Sequence, residues 1–207
     1  MVQCMKTSAS LVAMSNYRSR VRPPERLRFR AANDAPRSDG EWVKCRDGRS
    51  LRLRPIHPDD VVALQRGFSH LSAEEIRMRF LHALTELPDA LATRLCQIDP
   101  DREIALVLVD GPEVPEPEIH GVARAYIDPT TDSAEFAVIV QKALNGQGFG
   151  RLLMQRVIAA CRARGVREIW GDVLVENGRM LTLCDSLGFR REPVFHGTGL
   201  TRVRLAI

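Results

Sequence analysis

The chain has 207 residues, 44% hydrophobic and 27% charged, values ordinary for a globular protein and sufficient for one domain with a real core. Its longest unbroken apolar run, Ile104 to Val109, is six residues, against the roughly 20 a spanning helix needs, so no membrane partner is expected. The net charge of +4 is unevenly spread: residues 1–50 carry 11 Lys/Arg against 5 Asp/Glu (+6), and residues 51–207 carry 19 against 21 (−2). The basic excess belongs to the first quarter alone, and a nucleic-acid partner is not expected from the body of the chain.

Five cysteines (Cys4, Cys45, Cys96, Cys161, Cys184) are odd in number and show no C-x-x-C spacing. Neither a disulfide framework nor a zinc ribbon fits, and the expected compartment is a reducing cytoplasm. His57, His70, His82, His120 and His196 are scattered without ligand spacing, so no metal site is assigned.

In chain order, residues 1–49 show no sustained period of 2 or 3.6. Serines alternate with Arg18, Arg20 and Arg22, then come Pro23-Pro24 and the polar run Asn33 to Gly40. The expectation is a basic, disordered extension over 1–49, with one domain over 50–207. No acidic residue precedes Glu25, a composition like that of an organellar transit peptide, and Met14 is a second candidate start.

Alternation in Leu51-Arg52-Leu53-Arg54-Pro55 predicts the first strand. Asp59-Asp60 opens a helix carrying Val61, Leu64 and Phe68. Ser72-Ala73-Glu74-Glu75 is a capping box for a second helix, with Ile76, Met78 and Phe80 toward the inside. A short third helix fits Pro88 to Ile98. Ile104 to Val109, His120 to Ile127 and Ala134 to Val140 read as successive strands, the last two joined by the turn Asp128 to Asp132. The longest helix is expected from Gly148 to Arg164, with Gly165 as its stop. Strand Glu168 to Leu174, helix Gly178 to Leu187 and two further strands complete the chain. Three strands in succession before the long helix predict a single α/β (α+β) domain, with a mixed sheet rather than a doubly wound one.

The most informative stretch is Val138-Ile139-Val140-Gln141-Lys142-Ala143-Leu144-Asn145-Gly146-Gln147-Gly148-Phe149-Gly150-Arg151. A strand feeds a glycine loop that opens a helix, an arrangement suited to an anion because backbone N–H groups and the helix dipole converge there. A P-loop would need G-K-[ST], and here Gly150 is followed by Arg151-Leu152. A dinucleotide fingerprint would need glycine or alanine at 151 and a tighter turn from the strand.

Gly146-Gln147-Gly148-Phe149-Gly150 with its flanks resembles the pyrophosphate motif of the Gcn5-related N-acetyltransferases, with Asn145 where that motif usually has Arg or Gln. Leu51 to Asp60 resembles the family's opening strand and helix, Asn177 with Met180 its Asn-containing turn, and Leu187-Gly188-Phe189 its L-G-F element. Arg77 to Phe80, Ile98 to Glu103 and Ala134 to Val138 resemble protein lysine acetyltransferases within the family. The resemblance covers about residues 50–207. It implies a mostly antiparallel mixed sheet flanked by helices, acetyl-CoA as co-substrate, and a protein lysine as acceptor. The alternatives are a small amine or amino acid as acceptor, or a non-catalytic acyl-CoA-binding module. CoA contacts are implied for Val138, Val140, Asn145, Gly146, Gln147, Gly148, Gly150, Arg151 and Asn177.

A lysine ammonium, with a pKa near 10.4, is not nucleophilic at neutrality, so a base must take its proton. Glu135 is the only carboxylate on the strand that enters the glycine loop, and the resemblance implies that it is the base. Backbone N–H groups where Val138 to Val140 part from a neighbouring strand would polarise the thioester carbonyl. Many relatives place a tyrosine acid four residues before the L-G-F glycine; here that position is Cys184, which reads as a small core residue. Arg77 and Arg79 read as solvated helix-surface residues.

Overall fold

The structure, a computed structural model, describes residues 40–81, 84–192 and 199–207. The expected disorder of residues 1–39 lies outside the described residues, as do His82 and His196. Strands β1 (Glu41–Lys44), β2 (Ser50–Pro55), β3 (Glu103–Asp110), β4 (Ile119–Asp128), β5 (Ser133–Val140), β6 (Glu168–Leu174), β7 (Arg190–Arg191) and β8 (Leu200–Ala206) form one sheet. Its order is β1-β2-β3-β4-β5-β6-β8-β7. All neighbours are antiparallel except β5 and β6.

Helices cover both faces. On one lie α4 (Phe149–Ala163) and α5 (Gly178–Ser186). The inward stripe of α4, Leu153, Met154, Val157 and Cys161, is fully buried against Ala123, Ala125, Phe136 and Ile169 of the sheet. A spacing of three to four residues is what puts these four side chains on one face of a helix. The other face carries α1 (Val61–Ser69), α2 (Ala73–Phe80) and α3 (Asp89–Cys96). Phe68, Ile76, Leu87 and Ala92 form the small cluster that ties these helices together. The capping box at Ser72 is formed: its side chain accepts from the Glu75 N–H, and the Glu75 carboxylate accepts from the Ser72 N–H at 2.9 Å.

The described fold starts one strand earlier than the expected boundary at residue 50. Glu41 to Lys44 pairs with Leu53 to Ser50, Arg156 of α4 donates to the Glu41 carboxylate at 2.7 Å, and Cys45 is buried. A four-residue edge strand with an exposed Trp42 and one half-buried residue, Val43, has too little apolar alternation to register as a strand.

A charged pair sits deep in the sheet. Glu103, 2% exposed, accepts from Arg124 at 2.7 Å and from Arg94, and Arg124 also donates to the Leu95 carbonyl. A buried carboxylate persists only when its oxygens are met in this way.

Candidate active site

The glycine loop joins β5 to α4. Gly146 and Gly148 have φ of +73° and +88°, the left-handed region that side chains rarely adopt. A Cβ at either position would meet nothing within 4 Å, so the backbone there faces open space. Gly148 caps α4 without a side-chain hydrogen bond, and the first turn carries no acidic residue. The N–H groups of that turn are thus offered outward, which suits an anion. Gly150 serves packing instead: its α-carbon faces α5, where a Cβ would stand 3.5 Å from the Leu183 side chain.

Two side chains from outside the glycine motif hold this loop. Arg46, in the β1–β2 turn, donates from its backbone N–H to the Gln147 side-chain oxygen and from its guanidinium to the Gly146 carbonyl, both at 2.8 Å. Glu75 of α2 accepts from the Lys142 N–H at 2.7 Å. Asn145 and Arg151 are exposed, and Arg151 makes one long contact, 3.4 Å, to the Ser186 carbonyl. Asn177 stands at the N-cap of α5, where its side-chain oxygen accepts from the Met180 N–H at 3.1 Å.

The sheet opens beside this loop. β5 and β6 are partners at Ser133–Glu168, Ala134–Ile169 and Glu135–Trp170, and no further. Both strands continue, to Val140 and to Leu174, so the β6-side edge of residues 136–140 is left without a strand partner. Val138 and Val140 both lie on that edge. The unpaired backbone there is a ready ladder for an extended amide-bearing chain.

Glu135 sits where the two strands part. Its neighbours in register are Tyr126 of β4 and Trp170 of β6. Among the described residues it makes no hydrogen bond or ion pair. Burial, reinforced by Asp172, pushes its carboxyl up to about 7, with Arg79 and Arg202 acting in the opposite direction. Asp172 is itself held by Arg202 in a two-pronged ion pair, 2.8 Å on each prong, and the Arg202 guanidinium lies 4.1 Å from the Trp170 ring centre.

Arg79 departs from the solvated surface position expected of it. It is partly buried on α2 and lines a cavity under α1, α2 and α3. Burial and then Arg124 pull its guanidinium down to about 10, against the opposing pull of Glu135. Its position was readable: Ile76, Arg79 and Phe80 stand three and four residues apart on one helical stripe. Arg77 does face outward, paired with Glu176 across the opening between α2 and the end of β6. Cys184 is fully buried in the core, and burial pushes its thiol up to about 12, so it is a packing residue. Among the described residues no cluster of His, Cys, Asp and Glu could hold a metal ion, and no helix is long and apolar enough to cross a membrane.

A chain that sets a glycine loop before a long helix, in a sheet that parts beside it, has known relatives. Residues 71–189 match the Acetyltransferase (GNAT) family. The chain belongs to that family. It is an N-acetyltransferase, and its family uses acetyl-CoA as co-substrate. An acetyltransferase of Pseudomonas aeruginosa is 28% identical over 155 residues, which are 73% of this chain and 83% of that protein. Acetyltransferase Pat of Mycolicibacterium smegmatis is 29% identical over 146 residues, 70% of this acetyltransferase and 43% of Pat. The GNAT domain of S. lividans PAT superposes with a TM-score of 0.72 at 25% identity, covering 84% of this chain and all of that one.

Proposed function

We propose that this acetyltransferase moves the acetyl group of acetyl-CoA to lysine side chains of proteins, in the cytoplasm, by direct attack of the amine on the thioester. The observation that carries this reading is the half-buried Glu135, which makes no hydrogen bond or ion pair among the described residues, at the point where β5 and β6 part. The pyrophosphate lies on the N–H groups of Gly146 to Gly150 and the first turn of α4, with Asn145, Gln147 and Arg151 around it and Asn177 across the opening. The pantetheine arm takes the place of the missing strand along Val138 to Val140.

Glu135, its carboxyl raised to about 7 by burial, accepts a proton in its ionised form from the lysine ammonium directly or through one water. The freed amine forms a C–N bond to the thioester carbon, the carbonyl oxygen takes the electron pair, and N–H groups of the open β5 edge stabilise it. The oxygen's electron pair re-forms the carbonyl, the C–S bond breaks and CoA leaves as thiolate. The nitrogen gives up its second proton, which the thiolate takes directly or through solvent, and Glu135 returns the first to solvent. A thiolate is a good leaving group near neutrality, so the buried Cys184 is not required as acid.

Support for a protein acceptor comes from the resemblance of the segments Arg77 to Phe80 and Ala134 to Val138 to protein lysine acetyltransferases. The test is incubation of the full chain with labelled acetyl-CoA and a cell lysate, read by mass spectrometry. The expected result is label on lysine side chains of proteins, absent with Glu135→Gln. Label confined to small amines would overturn the protein acceptor; no label on any acceptor would overturn the catalytic reading.

A further inference from the structure

A small, partly open cavity of about 50 Å³ lies under α1, α2 and α3. Its walls are mostly apolar, with Phe68, Leu95 and Ile139 among them, and four polar side chains reach it: Arg79, His120, Arg124 and Gln141. Three of the four are engaged. Arg124 holds Glu103 and the Leu95 carbonyl. His120 bonds Gln141 at 2.9 Å and Asp110 at 2.8 Å, and Gln141 also donates to the Gly67 carbonyl and to Glu118. Arg79 alone makes no hydrogen bond or ion pair among the described residues; its one contact is its own neighbour's ring, Phe80, at 4.9 Å.

A partly buried guanidinium that meets no acceptor among the described residues, in a mostly apolar wall, would be satisfied by an anion entering the cavity. The cavity lies on the face of β5 that carries Glu135: Ile139 in its wall shares that face, four residues or roughly 13 Å along the strand, and Arg79 in its wall acts electrostatically on Glu135. We propose that this cavity is a subsite for a short apolar chain ending in a carboxylate, and that Arg79 is the side chain that grips the carboxylate. The inference rests on the acetyl-transfer reading of the same site. Beside acetyl-CoA and protein lysine, two further substrates of that site could bring such a group, a dicarboxylic acyl donor or an amino-acid acceptor, and the recognition chemistry is the same.

Calorimetry on the full chain tests it with two matched pairs, succinyl-CoA against butyryl-CoA, and leucine against leucinamide. The expected result is that the carboxylate member of one pair binds about tenfold tighter or more. Arg79→Gln brings that ratio to about one, while Arg79→Lys, which keeps the cation, retains part of it. The pair that responds identifies the substrate that carries the group. Equal binding within both pairs, or a preference that survives in Arg79→Gln, overturns the proposal. A wild-type protein that fails to bind CoA itself would instead refute the acetyl-transfer reading, and the leucine pair, titrated without CoA, would still decide this one.

Discussion

Glu135 of β5 and Trp170 of β6 are the last partners in register before their two strands part. One step earlier, Ala134 and Ile169 are both closed into the core; one step later the β5 backbone has lost its neighbour. The proposed base therefore stands at the vertex of the opening, close enough to the core to be desolvated and close enough to the opening to meet a substrate. Desolvation is the larger of the two causes that raise its pKa, so the geometry of the parting and the chemistry of the carboxyl have one origin.

Arg46 and β1 make the start of the fold matter to the site. Deleting residues 1–49, compared with deleting 1–39, removes the β1–β2 pairing, the Glu41–Arg156 ion pair and both Arg46 bonds to the glycine loop. The shorter protein should melt several degrees lower and show a weakened affinity for CoA. Arg46→Ala alone, which removes only the guanidinium bond to the Gly146 carbonyl, should weaken CoA binding by roughly 2- to 10-fold, the worth of one hydrogen bond. Equal melting and CoA binding in the two truncations would show that the hairpin is dispensable.

The glycine loop was legible in the sequence because its chemistry is local: glycines at fixed spacing between a strand and a 15-residue amphipathic helix. The inner face of α4 was legible for the same reason. What could not be read is what depends on register and on contacts distant in sequence. Nothing in Trp170 or Asp172 announces that they flank Glu135, because a one-residue slip would turn both to the other face. Arg46 lies 100 residues from Gly146 and comes from a segment whose composition reads as tail.

Gly148→Asp separates loop geometry from ligand chemistry. An acidic residue at the start of α4 is favourable to the helix dipole, and no atom lies within 4 Å of the new Cβ. Its φ of +88° costs on the order of 1 kcal/mol in strain, so the variant should fold with a modestly lower melting temperature. CoA affinity, in contrast, should fall by more than tenfold, since a carboxylate would occupy the anion's place. Unchanged CoA affinity, measured by calorimetry on the folded variant, would remove the pyrophosphate from this loop.

Glu135 also leaves a signature in stability. Its carboxyl rises from an ordinary 4.5 to about 7 in the folded protein. Between those values the native state holds a proton that the unfolded chain has lost, so the contribution of Glu135 to stability is full below 4.5 and declines as pH rises through about 7. Glu135→Gln, neutral throughout, should flatten that decline. Urea midpoints at pH 5 and pH 8 should show the variant gaining on the wild type at the higher pH; parallel behaviour of the two proteins would place the titrating group elsewhere.

The central claim, that Glu135 removes the amine proton, is met most directly by the pH dependence of turnover in the wild type and in Glu135→Gln. The glutamine is nearly isosteric, so CoA affinity should be retained and only the proton acceptor lost. Wild-type kcat/KM should rise with pH through about 7 as the carboxyl ionises. The variant should be slower at pH 7 by roughly 10²–10⁴-fold, lack that rise, and recover partly at high pH as free amine becomes abundant. Wild-type turnover with an unchanged pH profile in Glu135→Gln would contradict the account and hand the proton to another group.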